Sequence, residues 1–320
     1  MARASFFCAA LVSLCGAISL LGAGAAIAAD VSTETPETPV PNAPAAAQKV
    51  SGYLELYGQA LWNNSYTSGS YPGANPWLGI GGAGALNVWL NPSWSMQFDA
   101  FGNVAFPQKV NGAADNVSTE TVAGHFDWRD PSRGLLGAFV GIAGTNDYEA
   151  TGQDWSVFLG PEAQVYLGNF TLYGQGGWLH QFSGTYGGPG TYSYYQIDNL
   201  WFGQLTGRYF PQPNTKIEAS IGYMNGPIWG PVYYGSAYDA GAVTYSAEVE
   251  HRFDNSPFSV FGRFSGFTSP GYNGGTASEY AVMAGFRAQF GTGTLEEQDR
   301  SGATLKAPDF GPIGWLRWDD

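Results

Sequence analysis

The sequence predicts an all-β fold: a transmembrane antiparallel up-and-down β-barrel of about twelve strands, with ten to fourteen compatible with the pattern. Three observations carry that expectation. Charged residues are 12% of the chain, against about 25% in ordinary globular proteins, while aromatics reach 16%. After the N-terminal leader, no segment has the ~18 consecutive apolar residues that a membrane-crossing helix needs. Side-chain character instead alternates with a period of two over many short stretches, so apolar surface is spread over every second position of many strands.

The elements follow in order. Residues 1–29 read as a signal peptide. Arg3 gives a positive start, Phe6 to Ile27 is a run of apolar and small residues, and Ala26-Ile27-Ala28-Ala29 is a small-x-small cleavage pattern. The mature chain is expected to begin at Ala29 or Asp30. Lipid attachment at Cys15 is disfavoured because Leu14 precedes it. Both cysteines, Cys8 and Cys15, lie in this leader, so the mature chain has neither disulfide nor thiolate chemistry. Residues 30–49 are rich in Pro, Ala, Thr and Glu with almost nothing to bury, as in a flexible leader or linker.

Residues 50–290 hold the barrel. Gly, Pro, Asn, Asp and Ser clusters divide them into strand candidates at 50–62, 77–90, 94–106, 118–129, 135–146, 154–167, 170–182, 193–210, 216–224, 242–253, 257–268 and 278–290. Connections alternate in kind. One set is tight: Asn91-Pro92-Ser93, Asp130 to Gly134, Gly168-Asn169, Pro211 to Thr215 and Asp254-Asn255-Ser256. The other is usually longer and rich in Gly, Ser and Tyr, at 63–76, 107–117, 147–153, 183–192, 225–241 and 269–277. Short turns on one rim and long loops on the other suit a meander spanning a membrane.

The third segment shows the alternation. Trp94, Met96, Phe98, Ala100, Gly102, Val104 and Phe106 share one face; Ser95, Gln97, Asp99, Phe101 and Asn103 share the other. The fifth segment, LLGAFVGIAG, is apolar on both faces and its register is open. A soluble β-sandwich would also alternate, but its water-facing sheet calls for many charges. Here the lysines are Lys49, Lys109, Lys216 and Lys306 alone. Aromatics at segment ends (Trp62, Trp77, Trp89, Trp94, Trp128, Trp155 and Tyr209) fall where interfacial girdles belong.

With its leader, Pro/Ala-rich linker, alternating strands and the last strand YAVMAGFRAQF, the chain resembles Gram-negative outer-membrane β-barrel proteins of the small, porin-like kind. The resemblance covers about 50–290 and is one of pattern. It implies location in the outer membrane, with lipid and the barrel assembly machinery as partners. In that group an alternating last strand ending in an aromatic is an insertion signal, and Tyr280, Val282, Ala284, Phe286, Ala288 and Phe290 match its spacing. The signal normally ends the chain, whereas thirty residues follow Phe290 here. Residues 291–320 would then be a periplasmic tail. Its cluster Phe310, Ile313, Trp315, Leu316 and Trp318 could dock on the rim, enter the lumen or bind a partner, and docking on the barrel is the preferred expectation.

With apolar faces toward lipid, the inward set includes Glu55, Asp99, Asp127, Glu162, Asp198, Arg208, Glu218, Glu248, Glu250, Arg252, Arg263, Glu279 and Arg287. Arg252, Arg263 and Arg287 fall on three consecutive strands and could form a basic wall opposite acids of strands one to three and six. Such a field would orient a small hydrophilic solute in a pore. The expected function is passive solute or ion passage. The alternative is a structural or surface-interaction barrel, whose inner Arg and Glu merely pair and fill the lumen. Enzymatic activity is not expected. Of the three histidines, His125 faces inward, His251 faces outward near the short-turn rim, and His180 has Ser193 on its face but no acid at a triad spacing.

No cofactor or metal is expected, because no His/Cys cluster has zinc spacing and no Asp-rich loop has EF-hand spacing. Gly79 to Gly84 is glycine-rich like a dinucleotide turn but sits within a strand with no helix after it. A net charge of −13 argues against nucleic acid.

Overall fold

The computed structural model describes residues 49–63, 76–106, 116–146, 154–183, 196–197, 199–229, 237–270 and 276–311. They form a closed antiparallel barrel of twelve long strands. These are β1 (Val50–Asn63), β2 (Trp77–Asn91), β3 (Trp94–Phe106), β4 (Val117–Asp130), β5 (Gly134–Asn146) and β6 (Asp154–Leu167), then β7 (Phe170–Ser183), β8 (Leu200–Gln212), β9 (Thr215–Trp229), β10 (Ala237–Arg252), β11 (Phe258–Pro270) and β12 (Thr276–Phe290). Each pairs with its sequence neighbours, and β1 pairs with β12 from Gly52↔Phe290 to Asn63↔Glu279, which removes every long sheet edge.

The tight turns have local causes. Asn91 Oδ1 accepts the amides of Ser93 and Trp94 at 2.9 and 3.1 Å, and Asp130 Oδ1 accepts that of Ser132 at 2.9 Å. Gly168, with φ +62°, lets β6 reverse into β7 without a Cβ penalty. Within β2, Gly81 lies opposite Tyr57, and a Cβ there would overlap the Tyr57 ring. The glycine-rich stretch of β2 thus makes room for an inward tyrosine.

Two boundaries depart from the expected ones. The segment proposed at 193–210 is β8 from Leu200, preceded by a two-residue strand at Gln196–Ile197 that pairs with Ile228 and Trp229. The loop proposed at 225–241 is largely the end of a hairpin, with β9 and β10 paired from Thr215↔His251 to Trp229↔Ala237. Its Gly and Pro content reads as loop.

Inner and outer walls differ as sharply as the alternation requires. Leu56, Ile80, Val140 and Phe286 are each more than half exposed on the outside. Glu250, His125 and Arg129 are each 1% exposed within. On the last strand Tyr280, Val282, Ala284 and Phe286 are exposed on the outer face, and Ala288 and Phe290 are half-buried. The Phe290 ring lies over Gly52. No described helix is long and apolar enough to cross a membrane.

The chain then turns inward. Gly291, with φ +80°, reverses it at a point where a Cβ would strike Val50 and Ser51. A short helix, α1 (Leu295–Ser301), follows. Its N-cap Thr294 accepts the Glu297 amide at 3.0 Å, and the Glu297 carboxylate accepts the Gly293 amide at 2.6 Å. Residues 302–311 continue without regular structure among the inward side chains. The tail is expected to dock on the barrel, with rim and lumen both open, and its described part lies in the lumen.

Candidate functional site

The lumen has two tiers. Near the short turns it is ionic. Arg263 lies directly opposite Glu248 in the β10–β11 register, with Nε 2.7 Å from Glu248 Oε2 and Nη2 3.1 Å from Glu55 Oε1. Arg287 lies opposite Glu55 and bonds both Glu55 and Glu250. Lys216 Nζ reaches Glu248 at 2.9 Å and Glu250 at 3.0 Å. The segregated basic wall expected from Arg252, Arg263 and Arg287 therefore does not form. Glu248 and Glu250 stand on the adjacent strand and interleave with the arginines, because buried charges are stable only beside an opposite charge. Arg252 sits at the rim, where Nε donates to the Ser256 carbonyl at 2.9 Å and Nη1 to that of Thr292 at 2.9 Å.

A second cluster surrounds a buried imidazole. His125 Nε2 is 2.7 Å from Asp99 and its Nδ1 is 2.8 Å from Glu162, which also accepts the Tyr173 hydroxyl at 2.8 Å. A ring with a carboxylate on each nitrogen is best served by donating from both, that is, by carrying a proton on each. The other Asp99 oxygen accepts the Ala307 amide at 2.7 Å, so this cluster also holds the inserted segment.

That segment is fastened from many sides. Gln97 donates to the Leu305 carbonyl at 2.6 Å and accepts the amides of Thr304 and Leu305 at 3.0 and 3.1 Å. Arg208 joins Glu218 at 3.0 Å, Asp299 at 2.7 Å and the Thr304 hydroxyl at 2.6 Å. Arg129 reaches the Gly302 carbonyl and Trp89 the Ser301 carbonyl, at 2.6 and 2.7 Å, so Trp89, expected in the interfacial girdle, instead faces inward, where its indole N–H has a carbonyl to bond. Lys306 Nζ is 2.5 Å from Glu218. Burial lowers the Lys306 pKa below the ordinary lysine value, and Glu218 opposes that shift.

Toward the loop side the interior turns apolar. Phe139, Phe158, Leu179, Leu200, Met224 and Phe267 form one buried cluster, with Phe101 and Phe202 packed against it. Phe310, near the end of the described part of the inserted segment, packs between Phe158 and Phe202 with ring centroids 5.0 and 5.1 Å away. Beside it lies a cavity of about 230 Å³, lined by Tyr57, Gln59, Phe101, Asn103, Gln175 and Gln204 among others.

Of the inward residues proposed from sequence, the structure brings Glu55, Glu248, Glu250, Arg263 and Arg287 into one network, Asp99 and Glu162 into the His125 cluster, and Arg208 and Glu218 onto the inserted segment. Asp127 bonds Ser95 and Arg129. Glu279 lines the cavity. Asp198 lies outside the described residues. Inner-face parity also covers Lys216, whose role went unread, whereas nothing local marks Asp299, Thr304 or Phe310 as partners of a barrel wall about 90 to 200 residues earlier. His180 stacks on Trp178, and Ser193 is outside the described residues. Among the described residues no group of His, Cys, Asp and Glu is arranged to hold a metal.

Neither a protein-family profile nor a curated protein sequence matches the chain. Among solved structures, an outer membrane channel of Pseudomonas putida F1 is similar at a TM-score of 0.56 with 14% identity, covering 79% of this chain and all of that one. The monoaromatic hydrocarbon channel CymD (TM-score 0.43, 6% identity, 75% and 88% covered) and the outer membrane channel DcaP of Acinetobacter baumannii (0.38, 10%, 75% and 97%) are more distant. The chain therefore has the fold of an outer-membrane β-barrel protein.

Proposed function

We propose that the protein is a small channel of the Gram-negative outer membrane, exported by the leader at 1–29, and that its own C-terminal segment narrows the bore. The observation that carries this reading is a closed barrel with an apolar outer wall and an interior cavity, filled by a separate segment of chain rather than by wall side chains alone. A barrel stabilised only by its wall needs no such filling, whereas a conduit that must limit leakage does. Solutes pass by diffusion, sorted by width and by the charged and aromatic lining. The last strand, Tyr280 to Phe290, supplies the insertion signal.

The fully paired ionic tier favours a second reading, a non-conducting structural barrel. Planar-bilayer recordings separate the two. The full mature chain should give small conductance steps, and a chain ending at Phe290 should give steps several-fold larger. Heat-dependent gel mobility would check that both are folded. Silence from both folded proteins would leave the structural reading.

A further inference from the structure

We propose that the lumen cavity is a binding site for a small organic cation, an ammonium group carried on an apolar or aromatic body. The proposal rests on the channel reading only in supposing that solutes reach the cavity.

The charges lining the cavity are unequal in number and in freedom. Six carboxylates line it (Glu55, Asp99, Glu218, Glu248, Glu279 and Asp309) with three cations, Arg208, Arg263 and Lys306, while Arg287, Lys216 and His125 behind that lining also pair with Glu55, Glu248 and Asp99. All three cations are already engaged: Arg263 with Glu55 and Glu248, Arg208 with Glu218 and Asp299, and Lys306 with Glu218. An anion entering the cavity would have to break one of these buried pairs, and stripping one partner from a buried pair is costly.

Asp309 is placed differently. It belongs to the inserted segment and is exposed to the cavity, and its carboxylate accepts the amide of its own neighbour Gly311 at 2.9 Å. No Lys, Arg or His among the described residues lies within 4.0 Å of it in an ion pair. Glu55, Asp99, Glu218 and Glu248 each meet a basic side chain of the wall, and the Asp309 carboxylate, on the inserted segment, meets none at ion-pair distance among the described residues.

The rest of the lining says what should carry the positive charge. Tyr57, Phe101 and Phe267 offer rings, and Leu61 and Ala105 add aliphatic surface. Rings attract a cation over their faces and accept an apolar body at their edges. Gln59, Asn103 and Gln204 can accept N–H bonds from an ammonium. A bare metal ion would find, among the described residues, no group of His, Cys, Asp and Glu arranged to hold it. A volume of about 230 Å³ admits a small molecule and excludes a peptide or oligosaccharide.

The test is calorimetric titration of the full mature chain in a neutral maltoside detergent with three matched probes: benzylammonium, benzyl alcohol and benzoate. Benzylammonium should bind at least tenfold more tightly than benzyl alcohol, and benzoate more weakly than either. Asp309→Asn should bring benzylammonium to the level of benzyl alcohol and leave benzyl alcohol unchanged. Benzoate binding as tightly as benzylammonium to the native chain would overturn the proposal, whatever the fate of the variant. So would an Asp309→Asn protein that keeps the tenfold preference. Binding in detergent requires no conduction, so bilayer silence with the preference intact would remove the channel reading and leave the site. Conduction without the preference would do the reverse.

Discussion

The two tiers of the lumen are built from opposite materials. On the short-turn side ion pairs and hydrogen bonds dominate; Arg287 alone joins Glu55 on β1 to Glu250 on β10. On the loop side rings and aliphatic groups dominate, and the cavity lies where the two tiers meet, lined by both. Ionic pairs are geometrically exacting and expensive to break, whereas apolar contacts exchange one partner for another at little cost. The difference assigns rigidity to the first tier and accommodation to the second.

The strongest way to break that division is Arg287→Met, which keeps bulk and strips the charge. It strands Glu55 and Glu250 in a buried setting, at a cost of about 3 kcal/mol because Arg263 and Lys216 remain nearby. The midpoint of urea unfolding in detergent should fall accordingly. Phe310→Ala acts on the other tier. Removing the ring from between Phe158 and Phe202 should weaken seating of the inserted segment by about 2 kcal/mol, less than a fully enclosed core phenylalanine would lose because the cavity adjoins it. Proteolysis within 302–311 should quicken while the urea midpoint of the barrel barely moves. A midpoint shift as large as that of Arg287→Met would show that the tiers are not separable. Gln97→Ala is the mildest. It removes three hydrogen bonds at the junction, worth about 1–2 kcal/mol together once water replaces them, and should speed hydrogen exchange at the Thr304 and Leu305 amides.

What could be read in the sequence divides along the same line. Strands β3 and β6 alternate cleanly because lipid lies on one side and polar groups on the other, and their bounds, Trp94–Phe106 and Asp154–Leu167, match the segments proposed. β5 could not be phased, and the structure shows why. Phe139 faces inward at 3% exposed while Val140 faces outward at 55%, so both walls want apolar side chains there. The assumption of a polar lumen hid the aromatic tier, although Phe101 and Phe158 already stood on the inner face by parity. Parity also put Glu248 inside, but its meeting with Arg263 depends on register, which the turn sets. The inserted segment was illegible for a different reason. Its partners include residues of β2, β3, β4, β6, β7, β8 and β9, and no spacing rule connects residue 97 to residue 305.

The reversal at Gly291 carries a consequence for how the molecule is made. The segment that follows it can find its partners only after strands from both halves of the chain have been brought into one ring, and it is the last part of the described chain to leave the ribosome. Seating the segment therefore depends on wall strands from both halves of the chain already lying in place, whereas those strands pair with one another without it.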